Sequence, residues 1–117
     1  MKKLIFLICI LMTSLVMSQH KDQEITQELP KNTNRILIVD VRTAAEYQDG
    51  HLPNAQNIDW FSPKFNEGFK GLKKKQKIYV YCRSGKRSAL AAARLDSLGF
   101  KRVVNLLGGY NSYKAAQ

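Results

Sequence analysis

The sequence predicts an α/β domain in which a parallel sheet is flanked by helices. Arg35 to Val41 (RILIVDV) is a continuous β-branched run, the mark of a strand buried on both faces of a parallel sheet. Ile78 to Tyr81 is a second short apolar strand, and the alanine-rich stretch Ser88 to Leu98 is the plainest helix in the chain. Strands and helices alternate along the sequence, which implies right-handed crossovers. Ligands of such sheets bind beyond the carboxyl ends of the strands.

Taken in order, the elements read as follows. His20 to Asn34 is polar and weakly patterned, with a short helical turn around Gln27 and a loop at Pro30. After the Arg35–Val41 strand, Thr43-Ala44-Ala45-Glu46 has the form of a capping box, with Thr at the cap and Glu three residues on. The short helix it starts ends at Asp49-Gly50, with the glycine as stop signal. Ala55 to Ile58 reads as a brief strand, and Ser62-Pro63 opens another helix with Pro at its first position. In the Ser88–Leu98 helix, Ala91, Leu95 and Leu98 share one face, Gly99 ends it, and Phe100 can fold back on Leu95. Ala91-Ala92-Ala93 lets this helix approach the sheet closely. Arg102 to Leu106 is a further strand, Leu107-Gly108-Gly109 a turn, and Tyr110 to Ala116 a closing helix.

The chain has 117 residues, enough for one domain and too few for two comfortable cores. Residues 1–18 are expected to stand outside that core. Lys2 and Lys3 precede an apolar run from Leu4, and Val16 and Ser18 suit the two positions a signal peptidase reads. The apolar stretch ends at Met17, short of the ~20 residues a spanning helix needs. The expectation is a cleaved secretory leader over residues 1–18 and a periplasmic or secreted domain over residues 19–117; an uncleaved anchor is the alternative. Cys9 follows Ile8 inside the apolar run, which argues against lipidation there.

Removing the leader takes two lysines from a formal charge of +10, leaving about +8. It also leaves Cys82 as a lone cysteine, unable to form an internal disulfide and worth reading as a reactive thiol. The densest basic run, Lys70 to Lys77, has no aromatic residue and lies in a connector, so solvated lysines are expected there rather than a nucleic-acid partner. A field that draws small anions is the milder consequence of this charge. His20, His51 and Cys82 show no regular spacing, so neither a metal site nor any cofactor is expected.

The chain is organised around Tyr81-Cys82-Arg83-Ser84-Gly85-Lys86-Arg87-Ser88. A cysteine ends a strand, a polar loop follows, and a helix begins. Such a loop turns several backbone N–H groups toward one point, and the helix dipole adds partial positive charge there. With Arg83, Lys86 and Arg87 nearby, the thiol is expected to ionise well below the ~8.5 of free cysteine. Packing as a small buried hydrophobe is the plainer alternative.

At this point several blocks fall into a known order. Asp40-Val41-Arg42, Glu46-Tyr47, Gly50-His51-Leu52-Pro53 with Ala55 and Asn57-Ile58, the Cys82 loop, and Leu107-Gly108-Gly109-Tyr110 together resemble a single-domain rhodanese, a sulfurtransferase module. The resemblance runs from about Ile25 to the end of the chain. Small rhodaneses of this kind occur in bacterial periplasms, in agreement with the leader. The resemblance implies a five-stranded parallel sheet with helices on both faces. It also implies that Cys82 accepts a sulfane sulfur within a loop formed by Arg83 to Arg87. Two departures stand out. Asn54 replaces the usual glycine after Pro53, and Asn tolerates the same backbone angles. Tyr110 and Tyr113 stand where tryptophan is frequent, which alters packing more than chemistry.

The expected cycle is covalent and ping-pong: Cys82 takes sulfur from thiosulfate or a similar anionic donor, and a thiol or cyanide acceptor removes it. Loop amides would stabilise the anionic persulfide. Arg83, Lys86 or Arg87 would hold the sulfonate end, and the sequence does not say which. Ser84 and Ser88 are candidate donors to sulfur, and Ser88 is otherwise only a helix cap. Asp40 and Arg42 form a supporting ion pair, Glu46 is accounted for by capping, and His51 is a structural histidine. Trp60 and Phe61 either line the mouth of the site or, as preferred here, complete the core. Two other functions compete. A cysteine phosphatase would carry Arg six positions after its cysteine, where this chain has Ser88, and a loop one residue longer on this fold. A non-catalytic persulfide carrier would keep the loop and lack turnover.

Overall fold

The computed structural model describes residues 19–30 and 35–117. The leader expected over residues 1–18 and the far end of the Pro30 loop lie outside the described residues. The elements are β1 (Lys21–Glu24), β2 (Ile36–Asp40), α1 (Ala44–Gln48), β3 (Gln56–Asn57), a 3-10 turn (Asn66–Phe69), β4 (Lys77–Tyr81), α2 (Lys86–Ser97), β5 (Arg102–Leu107) and α3 (Gly109–Ala115). The five strands form one sheet in the order β1-β5-β4-β2-β3, every pair parallel. This is the expected α/β architecture, and it places β4 at the centre.

Alternation along β4 divides the core in two. Ile78, Val80 and Cys82 face a cluster with Ala91, Ala92, Leu95 and Phe100 from α2 and its exit, and with Phe65 and Phe69 from the 3-10 segment. Tyr79 and Tyr81 face the opposite cluster, with Ile38, Leu52 and Val104, against which Tyr47 of α1 and Tyr110 and Tyr113 of α3 pack. Side chains of a strand point to alternate faces, so Cys82 shares a side with Val80 rather than Tyr81. Ala91 and Ala92 are both fully buried, and their small side chains bring α2 down onto β4 and β5.

Local signals set most boundaries. The Thr43 hydroxyl accepts from the Glu46 amide, and the Glu46 carboxylate accepts from the Thr43 amide, so the capping box starts α1 as expected. After α2, Gly99 adopts φ +93 and its amide bonds Asp96, while the Phe100 amide reaches back to the Leu95 carbonyl. This pair of bonds ends the helix and folds Phe100 into the core. Asn54 adopts φ 65, the left-handed conformation expected of an asparagine in that turn.

Three expectations need correction. The stretch around Gln27 is only a turn, and a strand, β1, precedes it on the edge of the sheet. Its sequence KDQE is exposed along most of its length, so it lacks the apolar pattern that marks a strand. His20 clamps this edge to α2 by a 2.7 Å contact of its Nδ1 with the Asp96 carboxylate. The helix expected from Ser62-Pro63 is instead a series of turns leading into the 3-10 segment, with the Ser62 hydroxyl accepting from the Lys64 amide. Gly68 and Gly71 weaken helix propensity there, and Gly68 is pressed against Ile58. Finally, α2 begins at Lys86, two residues before Ser88.

Behind the carboxyl end of β2 lies a buried polar network. Asp40, fully buried, accepts from the Arg42 side chain at 2.6 to 3.1 Å and from the Tyr81 hydroxyl at 2.9 Å. The Leu52 amide donates to the same hydroxyl at 3.0 Å, and Arg42 Nη2 donates to the Gly50 carbonyl. The Asn57 side chain donates to the carbonyls of Asp40 and Arg42, tying β3 to β2. Burial pushes the Tyr81 phenol well above its ordinary range, so it stays a neutral donor. Tyr81→Phe leaves the buried Leu52 amide without a partner and is expected to lower stability by about 1–3 kcal/mol, read by urea unfolding.

Candidate active site

The Cys82–Ser88 loop joins the central strand to the helix beneath it, and two constraints give it its shape. The first lies at Gly85, with φ +119, a left-handed conformation that suits glycine, at the cap position of α2. The second comes from α3. The amides of Tyr110 and Asn111 in its first turn donate to the carbonyls of Cys82 and Arg83 at 2.8 and 3.1 Å. A Cβ on Gly109 would stand 2.5 to 2.6 Å from backbone atoms of those same two residues, so only glycine allows the contact. With their carbonyls held outward, the residues that follow turn their N–H groups inward.

The inward groups converge on Cys82 Sγ. The Gly85 amide donates to the sulfur at 3.0 Å, and the Ser88 hydroxyl lies 3.5 Å from it while donating to the Gly85 carbonyl. That hydroxyl accepts from the thiol and, once rotated, donates to a thiolate. Cys82 is only 1% exposed, and burial pushes its pKa up more than any other single influence. Hydrogen bonds from the Ser88 hydroxyl and from the amides of Ser88, Gly85 and Ser84 together outweigh it and hold the thiol below its ordinary value. Cys82 is thus both a packed core residue and an activated one.

The cations divide into two groups. Arg87 is bound through both terminal nitrogens to Glu46, at 2.7 and 2.9 Å. Its fork is therefore occupied by a carboxylate of the protein. Arg83 and Lys86 are exposed, and neither has an acidic partner among the described residues. Ser84 is also exposed, on the rim of the loop. Ser88 is buried inside the first turns of α2 and is not its cap. Asp40 and Arg42 reach the loop indirectly: the Arg42 guanidinium lies 4.4 Å from the centre of the Tyr110 ring, and the Tyr110 amide holds Cys82. Burial opposes the charge on Arg42, and the hydrogen bonds and field of Asp40 more than offset it. His51 stacks on Tyr47 with ring centres 3.7 Å apart, at the surface and away from the sulfur.

Sequence reasoning missed two participants. Glu46 does more than cap α1; it pairs with a loop residue 41 positions away. Its doublet Glu46-Tyr47 was visible, but nothing local ties it to Arg87. The closing helix is expected from Tyr110 and begins at Gly109, but nothing local announces that its first turn docks on the Cys82 loop; the paired glycines are the available signal. Trp60 packs against the buried core, edge-on to Phe65, as the preferred reading has it, whereas Phe61 departs from that reading. Phe61 is 66% exposed, and with Trp60 and Leu90 it lines a cleft of about 610 Å3 to which Arg83, Ser84 and Lys86 also contribute.

Fold and site together define an α/β protein that carries a buried thiol of lowered pKa at the carboxyl end of its central strand. Residues 22–116 match the Rhodanese-like domain family, and the chain belongs to it. It is 35% identical over 88 residues to a sulfurtransferase of Allochromatium vinosum, covering 75% of this chain and 80% of that one. It is 35% identical over 80 residues to the thiosulfate sulfurtransferase GlpE of Coxiella burnetii, covering 68% and 73%. Some relatives are far longer: the chain spans 20% of the adenylyltransferase and sulfurtransferase UBA4 of Candida albicans, at 33% identity. Among solved structures, a rhodanese-related protein of Thermoplasma volcanium aligns with a TM-score of 0.62 at 32% identity, over 73% of this chain and 82% of that one. These kinships place the chain in a sulfurtransferase family.

Two predictions follow from the loop's electrostatics. The Arg87 hydrogen bonds, helped by those of Thr43, outweigh burial and lower the Glu46 carboxyl to about 2. A depressed acid stabilises the fold fully above its unfolded value near 4.5 and loses that contribution as pH falls toward 2. Glu46→Gln should therefore lower stability by about 1–2 kcal/mol at pH 7, after allowance for partial solvent screening, with the difference shrinking below pH 4.5 and small by pH 2. Urea unfolding at both pH values reads this. Separately, the rate of Cys82 alkylation by iodoacetamide should reach its plateau below the pH expected of a free thiol, and Ser88→Ala should move the midpoint upward.

Proposed function

We propose that the protein is a thiosulfate-type sulfurtransferase that carries sulfur as a persulfide on Cys82. The observation that carries this reading is the convergence of the Gly85 amide and the Ser88 hydroxyl on a thiol whose pKa is lowered against its burial. In the first half-reaction, the Cys82 thiolate attacks the outer sulfur of thiosulfate. The donor's S–S bond breaks, its electron pair leaves on sulfite, and a new S–S bond joins the transferred sulfur to Sγ. In the second, an acceptor thiolate or cyanide attacks that outer sulfur, and the pair of the breaking bond returns to Sγ. No net oxidant is needed in either step.

The chain's own residues have separate tasks. The loop amides take up negative charge on sulfur, as an oxyanion hole does on oxygen. Arg83 and Lys86, which form no ion pair among the described residues, attract the sulfonate end of the donor. Arg87 and Glu46 brace the loop against α1. Occupation of the Arg87 fork by Glu46 supports sulfur rather than phosphate chemistry, since a cysteine phosphatase needs its arginine free for the phosphoryl oxygens. The leader-like pattern of residues 1–18 supports an exported enzyme, discharged by a thiol from outside the chain.

Intact-mass measurement after thiosulfate treatment tests the proposal. The wild type should gain one sulfur atom that cyanide removes, and Cys82→Ser should gain none. A protein that stays unmodified, or that hydrolyses an aryl phosphate instead, would refute it.

A further inference from the structure

The cleft above the loop is larger than the reaction requires. At about 610 Å3 it falls within the ~300–1,000 Å3 of sites that hold drug-sized ligands, far more room than thiosulfate or cyanide fills. Its lining is mixed in character. One wall is apolar: Phe61 and Leu90, 66% and 50% exposed, are the large hydrophobic side chains most open to water among the described residues, and both line this one cleft. They come from different elements, the turn after β3 and the middle of α2. Trp60 continues the wall, with its ring packed edge-on against Phe65 and covered by the Arg94 guanidinium at 5.5 Å. Phe61 is held in place as the Asp59 carboxylate accepts from its amide at 2.9 Å.

The same cleft carries cations. Arg83 and Lys86 line it, Lys86 one helical turn before Leu90, and its carboxylate Glu46 is neutralised by Arg87, whose guanidinium lies 5.6 Å from the centre of the Phe61 ring. Apolar surface left open to water on two separate elements marks a binding site rather than chance exposure. An apolar strip beside cations that form no ion pair among the described residues suits a ligand with an apolar body and a negative group.

Resting on the sulfur-transfer reading above, we infer that this cleft selects the sulfur acceptor, and that the acceptor is a small organic thiol bearing an aromatic or bulky apolar body and a carboxylate. The body lies on Phe61 and Leu90, and the carboxylate meets Arg83 and Lys86. The acceptor thiolate attacks the outer sulfur of the Cys82 persulfide and leaves as an organic persulfide, and the Sγ–S electron pair returns to Cys82. Phe61 and Leu90 are thus specificity-determining residues, remote from the sulfur itself.

The test loads Cys82 with thiosulfate, confirms the persulfide by mass, and measures its discharge by three alkyl thiols. These are 4-(mercaptomethyl)benzoate, 3-mercaptopropionate and 4-(mercaptomethyl)benzylamine, which separate the ring from the charge. The aromatic anion should discharge the persulfide roughly tenfold faster, per unit concentration, than either of the others. Phe61→Ser and Leu90→Ser, at exposed positions that do not support the fold, should shrink the ring preference while the charge preference survives. Lys86→Gln should do the reverse. Equal rates for the three thiols on a loaded protein, or a ring preference untouched by both serine variants, would overturn the inference and leave the sulfurtransferase reading intact. Failure to load Cys82 at all would remove both.

Discussion

The carbonyl oxygens of Cys82 and Arg83 accept the first amides of α3, and the geometry of the site depends on that contact. A helix leaves its leading N–H groups without internal partners, and a loop leaves its carbonyls equally unattached. Here each satisfies the other. With two carbonyls drawn toward α3, the following peptides present their N–H sides to the opposite direction, where the sulfur lies. Gly109 makes the approach possible, because any side chain at that position would collide with the strand end. The surroundings of the thiol are therefore assembled between the last helix and the central strand.

The electrostatics of the loop are less a matter of formal charge than its sequence suggests. Arg83, Lys86 and Arg87 invite the view that cations ionise the thiol. In the folded protein, neutral donors, the Ser88 hydroxyl and three backbone amides, lower the thiol's pKa against the opposing effect of burial. Arg87 serves architecture, locked to Glu46, whose carboxylate also caps α1. One acid thus joins the helix after β2 to the loop after β4. The two remaining cations, Arg83 and Lys86, stay exposed at the surface.

Much of this was legible in the chain because it is local. The β-branched run of β2, the Thr43–Glu46 capping box and the glycine stop at Gly99 each signal themselves within a few residues. The Cys82 loop is equally local, and its shape could be read from a strand, a glycine and a helix in succession. What escaped is what depends on distant partners. β1 is a polar edge strand whose identity comes only from pairing Lys21 with Val104 and its neighbours. The Glu46–Arg87 pair and the docking of α3 on the loop link segments far apart in sequence. Trp60 and Phe61 show the limit from another side, since an aromatic pair looks the same in sequence whether it closes a core or rims a cleft.

The alternation of β4 carries a consequence for how this sequence can vary. Cys82 lies on the side of α2 because Ile78 and Val80 do, and Tyr81 completes the Asp40 network because it faces the other way. Gain or loss of a single residue inside the strand would exchange these roles together. The sulfur would then point toward Tyr110 and Tyr113, beneath α3, and a tyrosine would face the helix that now shelters the thiol. Length in this strand is therefore constrained by the face that each of its residues must present.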